Sequence, residues 1–301
     1  MTVGTDVVVL AESEWRPRAA AHNARAGELA GDYLRRRATG TKHPVLDFLW
    51  TYYGHRPAQL RRWHPGYGVA LRGAGEYTGL RGYHRLDDTT SAPVVTADPH
   101  FLRSRGETLS YIADLLRATA SRPAQLSCFG LHEWAMVYRA GEIRHDGVPL
   151  RLGAAGTDAV LESMPVRCTH FDAFRFFTPP AVGRNNQHLT RADQRHTEQP
   201  GCLHANMDLY KWCFHTSPLT TSELQLDCFE LARDARILDM RASPYDLRDY
   251  GYEPIEIETP AGRAAYVRQQ SAIADRAAGL RARLLAECEH LLEHLNPKLS
   301  A

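Results

Sequence analysis

The 301-residue chain has almost no lysine: only Lys42, Lys211 and Lys298, against an abundance of arginine. It also lacks net charge, standing at +1 with histidine neutral. Balanced charge gives no global attraction to nucleic acid. No C-x-x-C pair occurs among Cys128, Cys168, Cys202, Cys213, Cys228 and Cys288. That argues against a zinc ribbon and, with most of the six in apolar segments, suggests reduced core thiols. No run approaches the roughly 18 apolar residues of a membrane span. The first residues, Met1 to Leu10, carry neither a basic stretch nor a small-residue cleavage site, so the expected address is cytoplasmic.

What is present points to a globular enzyme. Hydrophobic residues make up 44% and charged residues 24%, ordinary for a folded domain. The expected fold is α+β, mainly α-helical with a small antiparallel sheet, built as a single globular domain over 1–301. Periodicity predicts helices over 12–38, 45–53, 107–121, 123–138, 157–163, 202–215, 219–236 and 261–295. It predicts an irregular, strand-bearing section over 54–106 and a strand over 165–177. A hairpin is expected over 142–151, turning at Asp146-Gly147, and a short strand near 255–259.

The strongest functional signal is a row of His204, Asp208, Lys211 and His215, spaced by four, three and four residues. Such spacing puts all four on one side of a helix. Leu203, Met207, Tyr210 and Phe214 form an apolar row about 100° away. The polar row is therefore expected along the edge of the buried face. Lys211 stands out, because arginine cannot replace an amine that must lose its proton.

Three other segments bring ionisable groups into apolar surroundings. His132 and Glu133 interrupt the apolar stretch 126–138. His170 and Asp172 share a parity with Val166, Cys168 and Phe174, so a strand would put both on its core face. Buried charges must be paired or neutralised. The loop 184–196 offers Arg184, Asn185, Gln187 and His196, and leads directly into the row helix. The segment 239–247 offers Arg241 and Tyr245, with Asp239 or Ser243 as caps.

Four strings resemble a family of about 300 residues from high-GC bacteria commonly labelled 3-methyladenine DNA glycosylase: Cys128 to Tyr138, Cys168 to Phe177, Gln199 to Trp212 and Leu238 to Leu247. The resemblance implies base excision from alkylated DNA, that is DNA repair, or hydrolysis of a nucleoside-like substrate. A glycosylase needs a pocket for a flipped base, an aromatic stack and a carboxylate, or in some cases an amine. Under that reading Asp208, Lys211 and Glu133 are catalytic. Trp134 stacks the base, and Arg184, Asn185, Gln187, Asn206, Arg241 and Tyr245 hold the rest of the substrate. A further string, Leu71 to Thr78 with Asp98 downstream, loosely resembles the helix-hairpin-helix of such enzymes.

A second reading stands beside the first. His132, His170, Asp172 and His204 are candidate ligands of a divalent iron, manganese or zinc ion. The chain would then be a metal-dependent oxidoreductase or hydrolase acting on a small molecule. No H-E-x-x-H motif occurs, since Met136 stands where the second histidine would be.

Overall fold

The computed structural model describes residues 7–87, 92–141 and 147–295. The chain is mainly helical α+β. Strand β1 (Val8–Leu10) is followed by helix α1 (Glu12–Ala38). Strands β2 (Val69–Arg72), β3 (Tyr83–Asp87) and β4 (Val94–Ala97) complete a sheet of order β1-β2-β4-β3. The sheet is mixed, a correction to the antiparallel expectation: β1 runs parallel to β2, with Val8 opposite Val69, and the other pairs are antiparallel. A parallel partner needs a long connection, and α1 supplies it.

The larger part is helical. It comprises α2 (Gly106–Ala120), α3 (Leu131–Ala135), α4 (Gly153–Ser163), α5 (Phe171–Phe174), α6 (Gln194–Thr197), α7 (Leu203–Thr216), α8 (Ser222–Arg241) and α9 (Pro260–Leu295). Helix α7 packs on α8, and α9 lies across α2, α7 and α8. Ser217 is extended because Pro218 follows it, and there α7 stops. The principal core joins these four helices through Leu109, Ile112, Tyr210, Phe229, Tyr266 and Leu284. A smaller core under the sheet holds Trp15, Trp63, Leu71, Tyr77 and Val95.

Four expectations change. The helix expected over 123–138 shrinks to α3, because Phe129 (φ 51°) and Gly130 (φ 71°) are left-handed. Gly130 also abuts Ala242, 3.3 Å from where a Cβ would sit. The strand expected over 165–177 survives as one bridge between Val166 and Asn185. Its next residues turn into α5, with the Phe174 N–H donating to the His170 carbonyl at 3.0 Å. No strand forms near 255–259. Helix α8 runs five residues past the expected end, which puts Asp239 inside it. Of the hairpin, residues 142–146 lie outside the described residues; Leu150 instead bridges Tyr245.

Two buried histidines tie the sheet region to the helices. His55 Nδ1 meets the Tyr210 hydroxyl at 2.6 Å, and His64 Nδ1 meets that of Tyr83 at 2.8 Å. Burial lowers His55 to about 4 and His64 to about 3. Both are neutral when folded, so their contribution is full above the unfolded value near 6.5. It falls as pH drops toward 4 and 3, because only the unfolded chain takes up protons there. Replacing His64 with glutamine should therefore flatten the acid limb. Urea titrations at pH 7 and pH 4.5 should show the stability loss between them reduced by about 2 kcal/mol. An unchanged loss would remove His64 from the account.

Candidate active site

Helix α7 carries the polar row into the protein rather than along its edge. His204 is 8% exposed and Asp208 1%, while Lys211 is half-buried and His215 exposed. The row thus runs from the core out to solvent. Asn206, fully buried, donates to the Pro200 carbonyl at 3.0 Å and accepts from Arg281 of α9. It fixes the start of α7 rather than facing a cavity.

The three buried histidines converge. The His132 and His204 rings are 4.5 Å apart between centroids, and those of His204 and His170 are 5.4 Å apart. Each outer histidine meets carboxylates. His132 Nε2 lies 2.8 Å from Asp239 Oδ1, and His170 Nε2 lies 3.2 Å from Glu198 Oε1 and 3.4 Å from Asp208 Oδ2. Two adjacent sets result: His132, His204 and Asp239, and His170, Glu198 and Asp208. Within each, the donor atoms lie within 4.8 Å of one another.

The alignment of these contacts is informative. His132 Nε2, Asp239 Oδ1 and both ring nitrogens of His170 are buried without a properly directed hydrogen bond. Two ligands at about 2.1 Å from an ion sit about 3.0 Å apart at a right angle and about 3.4 Å apart at the tetrahedral angle. The 2.8, 3.2 and 3.4 Å separations fall close to that range.

Surrounding groups hold the carboxylates in place. Gln194 donates to Glu198 at 2.6 Å, and the Tyr53 hydroxyl donates to Asp208 at 3.1 Å. Lys211 Nζ lies 3.2 Å from Asp208 and 3.3 Å from Asp172. Arg236, 2% exposed, reaches Glu133 at 2.8 Å and Asp239 at 3.5 Å, and lies over the Phe48 ring at 4.1 Å.

Electrostatics follow from this packing. Burial pushes His170 down, but Glu198 and Asp208 outweigh it and raise it to about 9. His132 is likewise raised well above its usual range, Asp239 overcoming burial. His204 goes the other way: burial and its two histidine neighbours outweigh Asp239 and lower it to about 3. Burial raises the Asp208 carboxyl, but Lys211 and His170 prevail and hold it below the usual range. Burial disfavours the Lys211 ammonium, yet Asp208 and Asp172 keep it charged.

His204 faces a chamber of about 400 Å³ walled by Phe48, Tyr52, Phe176 and Tyr245. Its polar lining is Glu133, Asp172, His204 and Arg236. Two larger clefts, of about 590 and 770 Å³, carry none of the candidate residues.

The sequence candidates divide accordingly. His132, His170, His204 and Asp208 join the two sets. Glu133, Asp172 and Tyr245 line the chamber, and Lys211 bridges Asp172 to Asp208. Asp172 leaves His170 and turns to Arg191, Arg175 and Lys211, as α5 is a helical turn and not a strand. Trp134 is a core residue, its indole donating to the Ala242 carbonyl at 2.8 Å. Asn185 braces the backbone of Cys168, while Gln187 is exposed. Arg184 binds the carbonyls of Leu161 and Glu162, and Arg241 binds that of Glu253. None of these four touches the chamber. His196 sits on α6, two residues before Glu198. The string 71–78 spans β2 and a single 3-10 turn at 75–77, not a helix pair, and Asp98 caps a short helix from Pro99.

Sequence reasoning missed Glu198, Arg236 and Tyr53, and offered Asp239 only as a helix cap. Arg236 and Asp239 are three apart in an apolar helix, a signal that was readable. Glu198 lies between polar neighbours and gave none. The chain matches no protein-family model, no curated protein and no solved structure.

Proposed function

We propose that the chain is a metal-dependent enzyme acting on a small molecule in the aromatic chamber. The observation that carries this reading is the pair of adjacent histidine–carboxylate sets, six buried residues whose donor atoms lie within 4.8 Å of one another in each set. Neutral imidazole with carboxylate suits iron, manganese or zinc. Such an ion supplies Lewis acidity and a bound water of lowered pKa. The protein's own groups do the rest. The aromatic walls hold a flat substrate, and Glu133 and Arg236 present an acceptor and a donor beside it. Lys211 neutralises Asp208 and Asp172 at the inner edge.

Elemental analysis of protein purified without a histidine tag tests this. One to two equivalents of a transition metal are expected, with a loss of at least half in His170→Ala and in His204→Ala. Less than about 0.1 equivalent in the parent, even after incubation with iron, manganese and zinc, would sink the proposal for sites of these ligands.

One observation favours a second reading, hydrolysis of an N-glycosidic bond in alkylated DNA or a nucleoside. Asp172 lines the chamber and is ion-paired to Lys211, an acid and amine beside aromatic walls. Incubation with alkylated DNA and with nucleosides, scored for released base, decides it. No release by wild type would end that reading, and release unchanged in Lys211→Ala would remove the amine from it.

A further inference from the structure

We infer that the substrate of this chamber is a flat ring bearing an anionic group, held by a cationic subsite next door. The inference rests on the chamber being the substrate site, as proposed above, and concerns a second cavity of about 270 Å³. Tyr52 and Asp172 line both cavities and form their common wall. Beyond that wall, Arg175, Arg191 and Lys211 line the second cavity, with Asp172 as the one carboxylate among its lining residues. Three permanent cations thus face one acid. Asp208, which also engages Lys211, is buried at 1% exposure and already has His170 and Tyr53.

Lys211 is largely covered, while Arg175 and Arg191 stand at the open side, 43% and 60% exposed, and are held there by a shared carboxylate. The cations come from three separate elements: the end of α5, a 3-10 turn at 191–193, and α7. All three converge on Asp172, Arg191 at 2.7 Å, Arg175 at 3.1 Å and Lys211 at 3.3 Å. Each head also lies over an aromatic ring: Arg175 on Phe176 at 4.2 Å, Arg191 on Phe171 at 5.0 Å, and Lys211 on Trp212 at 4.6 Å. Cation–π contacts and a shared carboxylate restrict these long side chains before any ligand arrives, so less entropy is lost on binding. Two guanidinium groups beside an ammonium match the oxygens of a phosphate or a carboxylate. Phe176 belongs to the chamber wall while its neighbour Arg175 belongs to the cationic cavity. A ring against Phe176 and Tyr52 therefore brings its substituent toward the cations.

Ligand-observed NMR titration with four aromatic probes tests this: phenyl phosphate and benzoate, against the neutral phenol and benzamide. At least one anionic probe should bind about tenfold more tightly than its neutral partner, a difference of about 1.4 kcal/mol. Which of the two does so separates phosphate from carboxylate. The preference should fall to threefold or less in Arg175→Gln/Arg191→Gln, titrated at a temperature where circular dichroism shows the variant folded, because Asp172 then keeps Lys211 alone. Equal binding of anionic and neutral probes, or a preference that survives in the double variant, would overturn the inference. Each titration is run on protein as purified and after chelation. An anion preference in protein that never holds metal retains the subsite and ends the metal reading; bound metal without an anion preference does the reverse.

Discussion

Replacing Arg236 with methionine should destabilise the protein by about 3–5 kcal/mol, read as a shift in the urea midpoint at constant slope. Methionine keeps much of the length and the contact with Phe48, so lost packing is small. What disappears is the guanidinium against Glu133 and Asp239, which are 5% and 0% exposed. Two carboxylates then remain in the interior without it, and the penalty is that of buried charge rather than of a missing contact. A compensating change follows from the same physics. Adding Glu133→Gln to Arg236→Met removes one of the two charges and should recover about half of the loss. A loss below about 1 kcal/mol in the single variant would mean that these carboxylates are neutral or solvated in the folded state.

Stripping metal should produce the second large effect, one that grows with pH. An ion that binds only the folded chain stabilises it by about 4 kcal/mol at a thousandfold excess over its dissociation constant. In metal-free protein His170 is raised to about 9, an imidazolium between Glu198 and Asp208. A folded value above the unfolded one near 6.5 means that this ion pair contributes fully below pH 6.5 and is lost as pH climbs through 9. An ion at that position displaces the same proton, so its affinity rises over the same interval. Chelated protein should therefore melt progressively lower from pH 6.5 to 9, and metal-loaded protein should not. Thermal unfolding with and without chelator at the two ends of that range measures the widening gap. Coincident curves at both ends would exclude an ion bound with useful affinity at His170.

The parts of the site that were legible in the sequence are those where a side chain breaks a strong local pattern. His204 and Asp208 interrupt an apolar face at helical spacing, and both are buried members of the two histidine–carboxylate sets. His132 and Glu133 interrupt an apolar segment, and both reach the same centre even though most of the expected helix around them is absent. The alternation from Val166 to Phe176 misled, because Phe171 and Phe174 also satisfy a helical step; non-local packing chose the helical turn. His170 was nonetheless recognised as buried, since either conformation hides it. Glu198 was invisible for the opposite reason. It acquires its role only when the residue after α6 meets His170 beside Asp208, and no neighbour in sequence records that contact. Of the loop over 184–196, Arg184 and Asn185 brace backbone carbonyls, Gln187 is exposed, and Arg191 turns to Asp172. The long helices were readable from periodicity, whereas β1 became parallel through α1, a matter of chain path and not of pattern.

Helix α9 has a bearing on how the centre is made. All six residues of the two histidine–carboxylate sets precede residue 240, while α9 spans Pro260–Leu295 and follows them in the chain. Its Gln270 donates to the Gly201 carbonyl at 2.7 Å and its Arg281 to Asn206, both at the threshold of α7. Until α9 docks, the back of α7 lacks these partners, and the ligands on it stand nearer to solvent. The order of translation thus produces all six residues before the helix that braces α7.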